Sequence, residues 1–243
     1  MVYGIIGDVH GNYDALAAVV SSLEQLEVDA YACLGDIVGY GAEPNRCIEA
    51  ISSLGCESVA GNHDYAVLGR EKTDFFNPFA RETILWTRGQ LTPANRAYLA
   101  ELELVFHGPD FSMAHATLDR PREFFYLDNP VDASTAFDLM ETGVLFVGHT
   151  HVPVNFLRDS GSPAIAHNHN SVLHVADGTR VITNVGSVGQ PRDSDPRAAF
   201  ATFDTGKGIL RIHRVDYDYQ AACDKIYRAG LPRINADRLI MGR

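Results

Sequence analysis

Hydrophobic positions along this chain follow two periods, and the change from one to the other divides it. Val2 to Gly7 is almost continuously apolar, the pattern of a strand buried on both faces. Asn12 then stands ahead of Leu16, Val19, Val20 and Leu23, which share one face at helical spacing, with Asn12 as the cap. Ala30 to Leu34 is a second apolar run. Glu43-Pro44 opens a second helix, with proline in its first turn and Gly55 at its stop. Glu57 to Ala60 reads as a third, short strand. Strand, helix, strand, helix, strand predicts a parallel sheet.

The middle of the chain changes character. Asn77 to Leu91 and Thr92 to Leu102 read as two helices, the second opened by Thr92 as cap and Pro93 behind it. Leu104 to His107 and Asp110 to Ala114 look like strands joined by a Gly108-Pro109 turn. Asp132 to Thr142 is helical, and Val144 to Val147 is a strand. From Val152 onward the pattern is mostly β: Val154–Leu157, Val172–Val175, Arg180–Val185, Ala198–Phe203 and Ile209–Val215, separated by short turns such as Asp177-Gly178. A last helix carries Tyr219, Ala222, Cys223, Ile226 and Tyr227 on one stripe. Helices early and strands late suggest two sheets packed face to face with helices outside. The expected organisation is one α/β domain over residues 1–230, with 231–243 as a loosely held tail.

Bulk properties narrow the function. At 243 residues the chain can bury a substantial core, and it shows no repeat or low-complexity tract. A formal charge of −11 argues against a nonspecific nucleic-acid coat, which needs a basic face, although a nuclease could draw its positive field from metal ions. The four cysteines, Cys33, Cys47, Cys56 and Cys223, have no CxxC spacing and read as reduced thiols. No basic leader precedes an apolar run, and no stretch approaches the ~18 apolar residues of a membrane span. The expectation is a soluble cytoplasmic protein without a membrane partner.

Candidate chemistry lies in five short blocks: Asp8-Val9-His10, Gly35-Asp36-Ile37-Val38-Gly39, Gly61-Asn62-His63-Asp64, Ala114-His115-Ala116 and Gly148-His149-Thr150-His151. Each follows an apolar, strand-like run, and strand ends are where open α/β sheets build sites. Asp8 and His10 are two residues apart, so a strand end can aim both at one ion. Asp36 has two carboxylate oxygens and suits a bridging role; Asn62 offers an amide oxygen; His115, His149 and His151 offer ring nitrogens. This N/O set without thiolate suits Mn, Fe, Zn, Co or Ni rather than a structural zinc–cysteine site. Gly35, Gly39 and Gly61 are placed to let backbone pass close to the ligands.

The five blocks, in this order, resemble those of the calcineurin-like metallophosphoesterases, and the resemblance runs from Val2 to about Phe203. Within that superfamily the chain is most similar to the compact prokaryotic phosphodiesterase or diadenosine-tetraphosphatase-like subgroup. The run Asn184-Val185-Gly186-Ser187-Val188-Gly189-Gln190-Pro191-Arg192-Asp193 adds to the likeness, with Val185 where that subgroup commonly has proline. The resemblance implies a four-layer αββα sandwich of two mixed sheets flanked by helices. It implies two divalent ions, one held by Asp8, His10, Asp36 and His151, the other by Asp36, Asn62, His115 and His149. His63 would be the general acid at the leaving-group oxygen, with Asp64 either orienting it or lying as a plain surface carboxylate. Ions about 3.5–4 Å apart clamp a phosphoryl group and acidify a bridging water, so in-line attack by the resulting hydroxide is the expected mechanism.

Other residues carry a sharp and a bland reading. Arg120, Arg122 and Arg192 are candidates to grip a substrate phosphate, or surface ion-pair partners. Phe124, Phe125 and Tyr126 could stack a base, with core packing the stronger expectation. Asn12 reads as a helix cap before a substrate contact. His167, His169 and His174 read as a polar hairpin loop rather than a further metal site, since no carboxylate accompanies them before Asp177; His107 and His213 read as ordinary strand residues. Protein phosphatases and symmetric diadenosine tetraphosphatases carry GDxxxRG, whereas this chain has Gly35-Asp36-Ile37-Val38-Gly39-Tyr40-Gly41. Lacking that arginine, the metals would be the main anchor, which favours a singly charged phosphodiester of a small or nucleotide-like molecule. The rivals are a dinucleoside-polyphosphate hydrolase, a phosphomonoesterase or protein phosphatase, and a non-catalytic scaffold. Retention of all seven ligands and His63 weighs against the last.

Overall fold

The computed structural model describes residues 1–243, the Phe75 side chain apart. Its elements are, in order, β1 (Val2–Ile6), α1 (Tyr13–Gln25), β2 (Ala30–Cys33), α2 (Pro44–Ser53), β3 (Glu57–Ser58) and α3 (Asn62–Val67). Then come α4 (Pro78–Gln90), α5 (Pro93–Glu101), β4 (Val105–His107), β5 (Ser112–Ala114), α6 (Pro130–Leu139), β6 (Val144–Val147) and β7 (Val154–Asp159). The chain closes with β8 (Ala166–Asn168), β9 (Val172–His174), β10 (Thr179–Asn184), β11 (Ala198–Asp204), β12 (Ile209–Val215), α7 (Tyr219–Arg228) and α8 (Arg233–Met241). Five helix starts are capped by the side chains of Asn12, Asn77, Thr92, Asn129 and Asp218, each accepting a backbone N–H of the first turn.

The strands form two six-stranded sheets, ordered β3-β2-β1-β11-β12-β9 and β4-β5-β6-β10-β7-β8. Each is mixed. The first is parallel through β1, β2 and β3 and antiparallel from β11 onward, and the second is parallel through β5, β6 and β10. Side chains alternate across a strand, and the two faces are divided accordingly. Ile5, Leu34, Met113, Phe146, Val181 and Phe203 pack between the sheets. Their neighbours Ile6, Cys33 and Phe200 turn outward against α1 and α2, while Leu145, Val147 and Ile182 turn outward against Ala133, Ala136 and Phe137 of α6. Two sheets with helices on both outer faces give the expected αββα sandwich.

Two expectations are corrected. Residues 231–243 are not loosely held: Leu231 in the turn before α8, with Ala236 and Leu239 of α8, is buried against α7. Burying two leucines contributes about 1.5–3 kcal/mol each, enough to fix a single short helix. The His167, His169 and His174 segment is not a hairpin loop. β8 pairs with β7 in one sheet and β9 with β12 in the other, so the short link between them crosses from sheet to sheet. Among the described residues these histidines join no group able to hold a metal.

Candidate metal centre

Parallel strands bring their C-terminal ends to one edge, and the loops beyond β1, β2, β5 and β6 carry Asp8, His10, Asp36, His115, His149 and His151. Five of these six have left-handed backbone: φ is 52° at Asp8, 51° at His10, 49° at Asp36, 68° at His149 and 63° at His151. Such conformations are unfavourable for residues with a Cβ, by about 1–3 kcal/mol each, and persist only where surroundings over-determine them. Here backbone bonds lock the loops to one another: Asp8 N–H to Gly35 O (3.1 Å), His10 N–H to Asp36 O (2.8 Å) and Gly148 N–H to His115 O (2.8 Å). Two glycines are dictated by close approach. A Cβ at Gly61 would collide with the Asp36 carboxylate, and one at Gly148 with Oδ2 of Asp8.

The side chains converge in two nests. Asp8, His10 and His151 form one, and Asp36, His115 and His149 the other, with ligating atoms inside each nest all within 4.8 Å of one another. Oδ2 of Asp36 lies 3.6 Å from Nε2 of His10 and 3.4 Å from Nε2 of His115, so this carboxylate stands between the nests. A third grouping, His10, Asp36 and His63, overlaps both. The imidazoles are aimed from behind: Nδ1 of His10 faces Val38 O (3.2 Å), that of His115 faces Leu34 O (2.7 Å) and that of His151 faces Gln190 O (2.6 Å). With Nδ1 occupied by a carbonyl, Nε2 is left to bind, the usual outer arrangement of a metal-ligating histidine. Oδ1 of Asn62 and Nε2 of His115 are buried without a hydrogen-bond partner. Orphaned buried polar atoms are unfavourable, and a cation between them would satisfy both.

Electrostatics fit the same use. Burial holds His10 and His151 well below the usual imidazole range and His149 down to about 3, so these rings are neutral ligands. Burial pushes Asp8 up to about 7, partly opposed by charge on His115. Burial would raise Asp36 too, but the protonated His115 beside it prevails and holds it well below the carboxylate range. For His115 burial alone would lower the pKa, yet the adjacent Asp36 and Asp8 carboxylates lift it to about 9. In the metal-free protein at pH 7, therefore, His115 is protonated and Asp8 is close to half protonated. A divalent ion must displace these protons, so loading at pH 7 is expected to release roughly one to two protons per chain. Apparent affinity should then rise with pH up to about 9, where metal-free His115 loses its proton unaided. Titration calorimetry in buffers of different ionisation enthalpy reads this directly; a heat independent of buffer would contradict it.

A cleft of about 370 Å³ opens onto the nests, lined by Asp36, Asn62, His63, His149 and His151, with Arg122, Arg192, Glu71 and Glu123 at its charged edges. His63 is buried at its floor, and its backbone N–H donates to Oδ1 of Asp36 (2.8 Å). Asp64 does not touch the His63 ring and is not at the surface. Fully buried, it accepts N–H bonds from Gly61 (3.0 Å), Val38 (3.2 Å) and Ile37 (3.4 Å), tying two ligand loops together. Of the three arginines, Arg120 stays outside the cleft, against Asp119 (3.7 Å) and over the Phe125 ring (4.6 Å), whereas Arg122 and Arg192 line it. The aromatic run divides. Phe124 is core, packed with Tyr65 and Ala116, while Tyr126, 55% exposed, stacks on His149 with centroids 4.4 Å apart.

Sequence reasoning missed Tyr40 and Gln190. Tyr40 packs its ring against His10 (4.8 Å) and His63 (4.7 Å), and Gln190 receives His151 on its carbonyl. Tyr40 is also where a GDxxxRG chain carries arginine, and the Arg192 guanidinium reaches its hydroxyl (3.4 Å) from 152 residues away. The cleft thus carries cationic side chains of its own, Arg122 and Arg192.

A two-sheet sandwich with paired carboxylate–histidine nests at its strand ends is the architecture of a metallophosphoesterase. Residues 1–208 match the calcineurin-like phosphoesterase superfamily domain, and the chain belongs to that superfamily. It is 37% identical over 245 residues to the uncharacterized protein MJ0912 of Methanocaldococcus jannaschii, covering 98% of this chain and 97% of that one. The crystal structure of a metallophosphoesterase from Sphaerobacter thermophilus is similar at 38% identity and a TM-score of 0.88, covering 100% of this chain and 99% of the other. The hypothetical protein PH1004 from Pyrococcus horikoshii shares the fold, at 19% identity and a TM-score of 0.82, covering 100% and 98%.

Proposed function

We propose that this protein is a two-metal phosphoesterase that hydrolyses a phosphodiester of a small or nucleotide-like molecule. The observation that carries the reading is the pair of nests with Asp36 standing between them beneath an open cleft. Asp8, His10, Asp36 and His151 would hold one divalent ion, and Asp36, Asn62, His115 and His149 the other; the N/O donor set suits Mn, Fe, Zn, Co or Ni. Two such ions supply Lewis acidity at the phosphoryl oxygens and a water acidified toward neutral pH.

The protein's own groups do the rest. His63, neutral because burial lowers it to about 4, is placed to donate a hydrogen bond to the leaving-group oxygen from the cleft floor. Arg122 and Arg192 offer guanidinium groups to substrate oxygens, but Glu71 and Glu123 on the same lining offset that charge. The balance favours a singly charged diester over a monoester dianion. Phe76 and the exposed face of Tyr126 give the cleft an apolar wall suited to an aromatic or nucleoside arm. No helix of the described residues is long and apolar enough to cross a membrane.

Turnover of Mn²⁺-loaded protein on bis(p-nitrophenyl) phosphate beside p-nitrophenyl phosphate tests the proposal. The diester is expected to show the higher kcat/KM. Monoester preference would overturn the specificity argument, and no turnover on either with two ions bound would favour a scaffold.

A further inference from the structure

Arg192 is held unusually for a surface-loop arginine. Its backbone N–H donates to His151 O (3.3 Å), so the loop is pinned to a candidate ligand. Its side chain turns into the cleft, where Nη2 donates to Gln190 Oε1 (3.0 Å) and lies 3.4 Å from the Tyr40 hydroxyl. Among the described residues no carboxylate lies within ion-pair distance of it, whereas its neighbour Asp193 is engaged by Arg214. Nε of Arg192 is buried without a partner. A partly buried guanidinium without a counter-ion is unfavourable, and an anionic oxygen in the cleft would relieve it.

What aims Arg192 is Tyr40, itself in a left-handed conformation with φ of 52°. The Tyr40 carbonyl accepts a hydrogen bond from Nδ2 of Asn235 (3.2 Å), which also donates to Thr83 Oγ1 (3.0 Å). Asn235 is fully buried and belongs to α8, beyond residue 208 where the superfamily match ends. Asn235 and Gln190 share a further feature. Oδ1 of the first and Nε2 of the second are buried without partners, and both residues line a cavity of about 10 Å³, room for one bridging water. The C-terminal helix also docks on the Arg192 loop, with Ser194 N–H donating to Gly242 O (2.9 Å).

We propose that Asn235 is a positioning residue for substrate: through Tyr40 and Gln190 it holds Arg192 aimed into the cleft, where the guanidinium grips an anionic phosphoryl oxygen. This rests on the phosphoesterase reading. Helix α8 is then part of the substrate grip, and the site is incomplete in a chain cut after α7.

The test measures inorganic phosphate affinity of the Mn²⁺-loaded full-length protein by calorimetry, with KM and kcat on bis(p-nitrophenyl) phosphate alongside. Arg192→Gln should weaken phosphate binding by about tenfold to a hundredfold, the range for a hydrogen bond to a charged group, and raise KM more than it lowers kcat. Asn235→Ala should weaken phosphate by roughly threefold to tenfold with metal content unchanged. In the Arg192→Gln background it should add little, because both act through one guanidinium. Tyr40→Phe, which keeps ring and carbonyl, should reproduce part of the effect even if Asn235→Ala folds poorly. Multiplying effects of Asn235→Ala and Arg192→Gln, or a lowered Tm with phosphate affinity untouched, would overturn the proposal. Absence of turnover in the wild-type protein alongside intact, Arg192-dependent phosphate binding would instead count against the phosphoesterase reading and leave the grip supported.

Discussion

Asp36→Asn is expected to abolish turnover, lowering kcat/KM by about 10³-fold or more, and to reduce bound metal from two ions to one or none. The substitution is nearly isosteric, so the effect isolates charge and donor type. Oδ1 of Asp36 accepts the His63 N–H, and Oδ2 stands 3.6 Å from His10 Nε2 and 3.4 Å from His115 Nε2. An amide can keep one role only by presenting its NH₂ where the other needs an acceptor. If its oxygen stays on the His63 N–H, the NH₂ faces both imidazoles, the His115–His149 nest loses its one carboxylate and the other nest is left with Asp8 alone. Loss of the carboxylate also removes the larger of the two carboxylate effects that lift His115 to about 9, so the metal-free variant should release fewer protons on loading. Metal analysis by mass spectrometry and steady-state kinetics check this. Two retained ions with kcat within tenfold of wild type would show that Asp36 does not join the nests.

His63→Asn should lower kcat by about 10²–10⁴-fold on a diester with an alkoxide leaving group, and much less on one releasing p-nitrophenolate. A good leaving group departs as an anion without help, whereas an alkoxide needs a proton or a strong hydrogen bond. His63 is suited to give one: its ring is boxed by Tyr40 (4.7 Å), His10 (4.9 Å) and Phe76 (5.1 Å), and its Nδ1 is buried without a partner. Metal content should hold, because the contact to Asp36 comes from the residue-63 backbone N–H and survives the substitution. Equal losses with both leaving groups, or loss of metal, would assign His63 to ligation instead. The overlap of His10, Asp36 and His63 makes that a real competitor.

Much of the centre was legible in the chain because its information is local. An apolar run followed by Asp8-Val9-His10 or by Gly148-His149-Thr150-His151 announces a strand end and names donor atoms, and each such block needs only its own few residues to be recognised. The parallel sheet then follows from the βαβ rhythm, and parallel strands gather their ends without further instruction. Gly61 was readable as a close approach, though the carboxylate it clears was not, and the close approach at Gly148 emerges only in the folded structure.

What lay beyond reach depends on contacts between distant segments. No local pattern says which of Arg192 and Arg120 faces the cleft, yet one reaches Tyr40 across 152 residues and the other pairs with its neighbour Asp119. Asp64 read either as an orienter of His63 or as a surface carboxylate, and is neither, because its partners are backbone N–H groups, which carry no side-chain signature. The His167 to His174 segment read as a hairpin because strand pairing is not encoded in period alone: β8 and β9 find partners in different sheets. The C-terminal residues read as a tail because a nine-residue helix has little stability by itself; its burial against α7 and Tyr40 is what holds it. The sequence by itself thus determined the fold class and the candidate donor atoms, since periodicity and donor chemistry are properties of neighbouring residues. Only the tertiary structure decided which cation faces the cleft and what braces it, since those are settled by packing between parts of the chain that no local pattern connects.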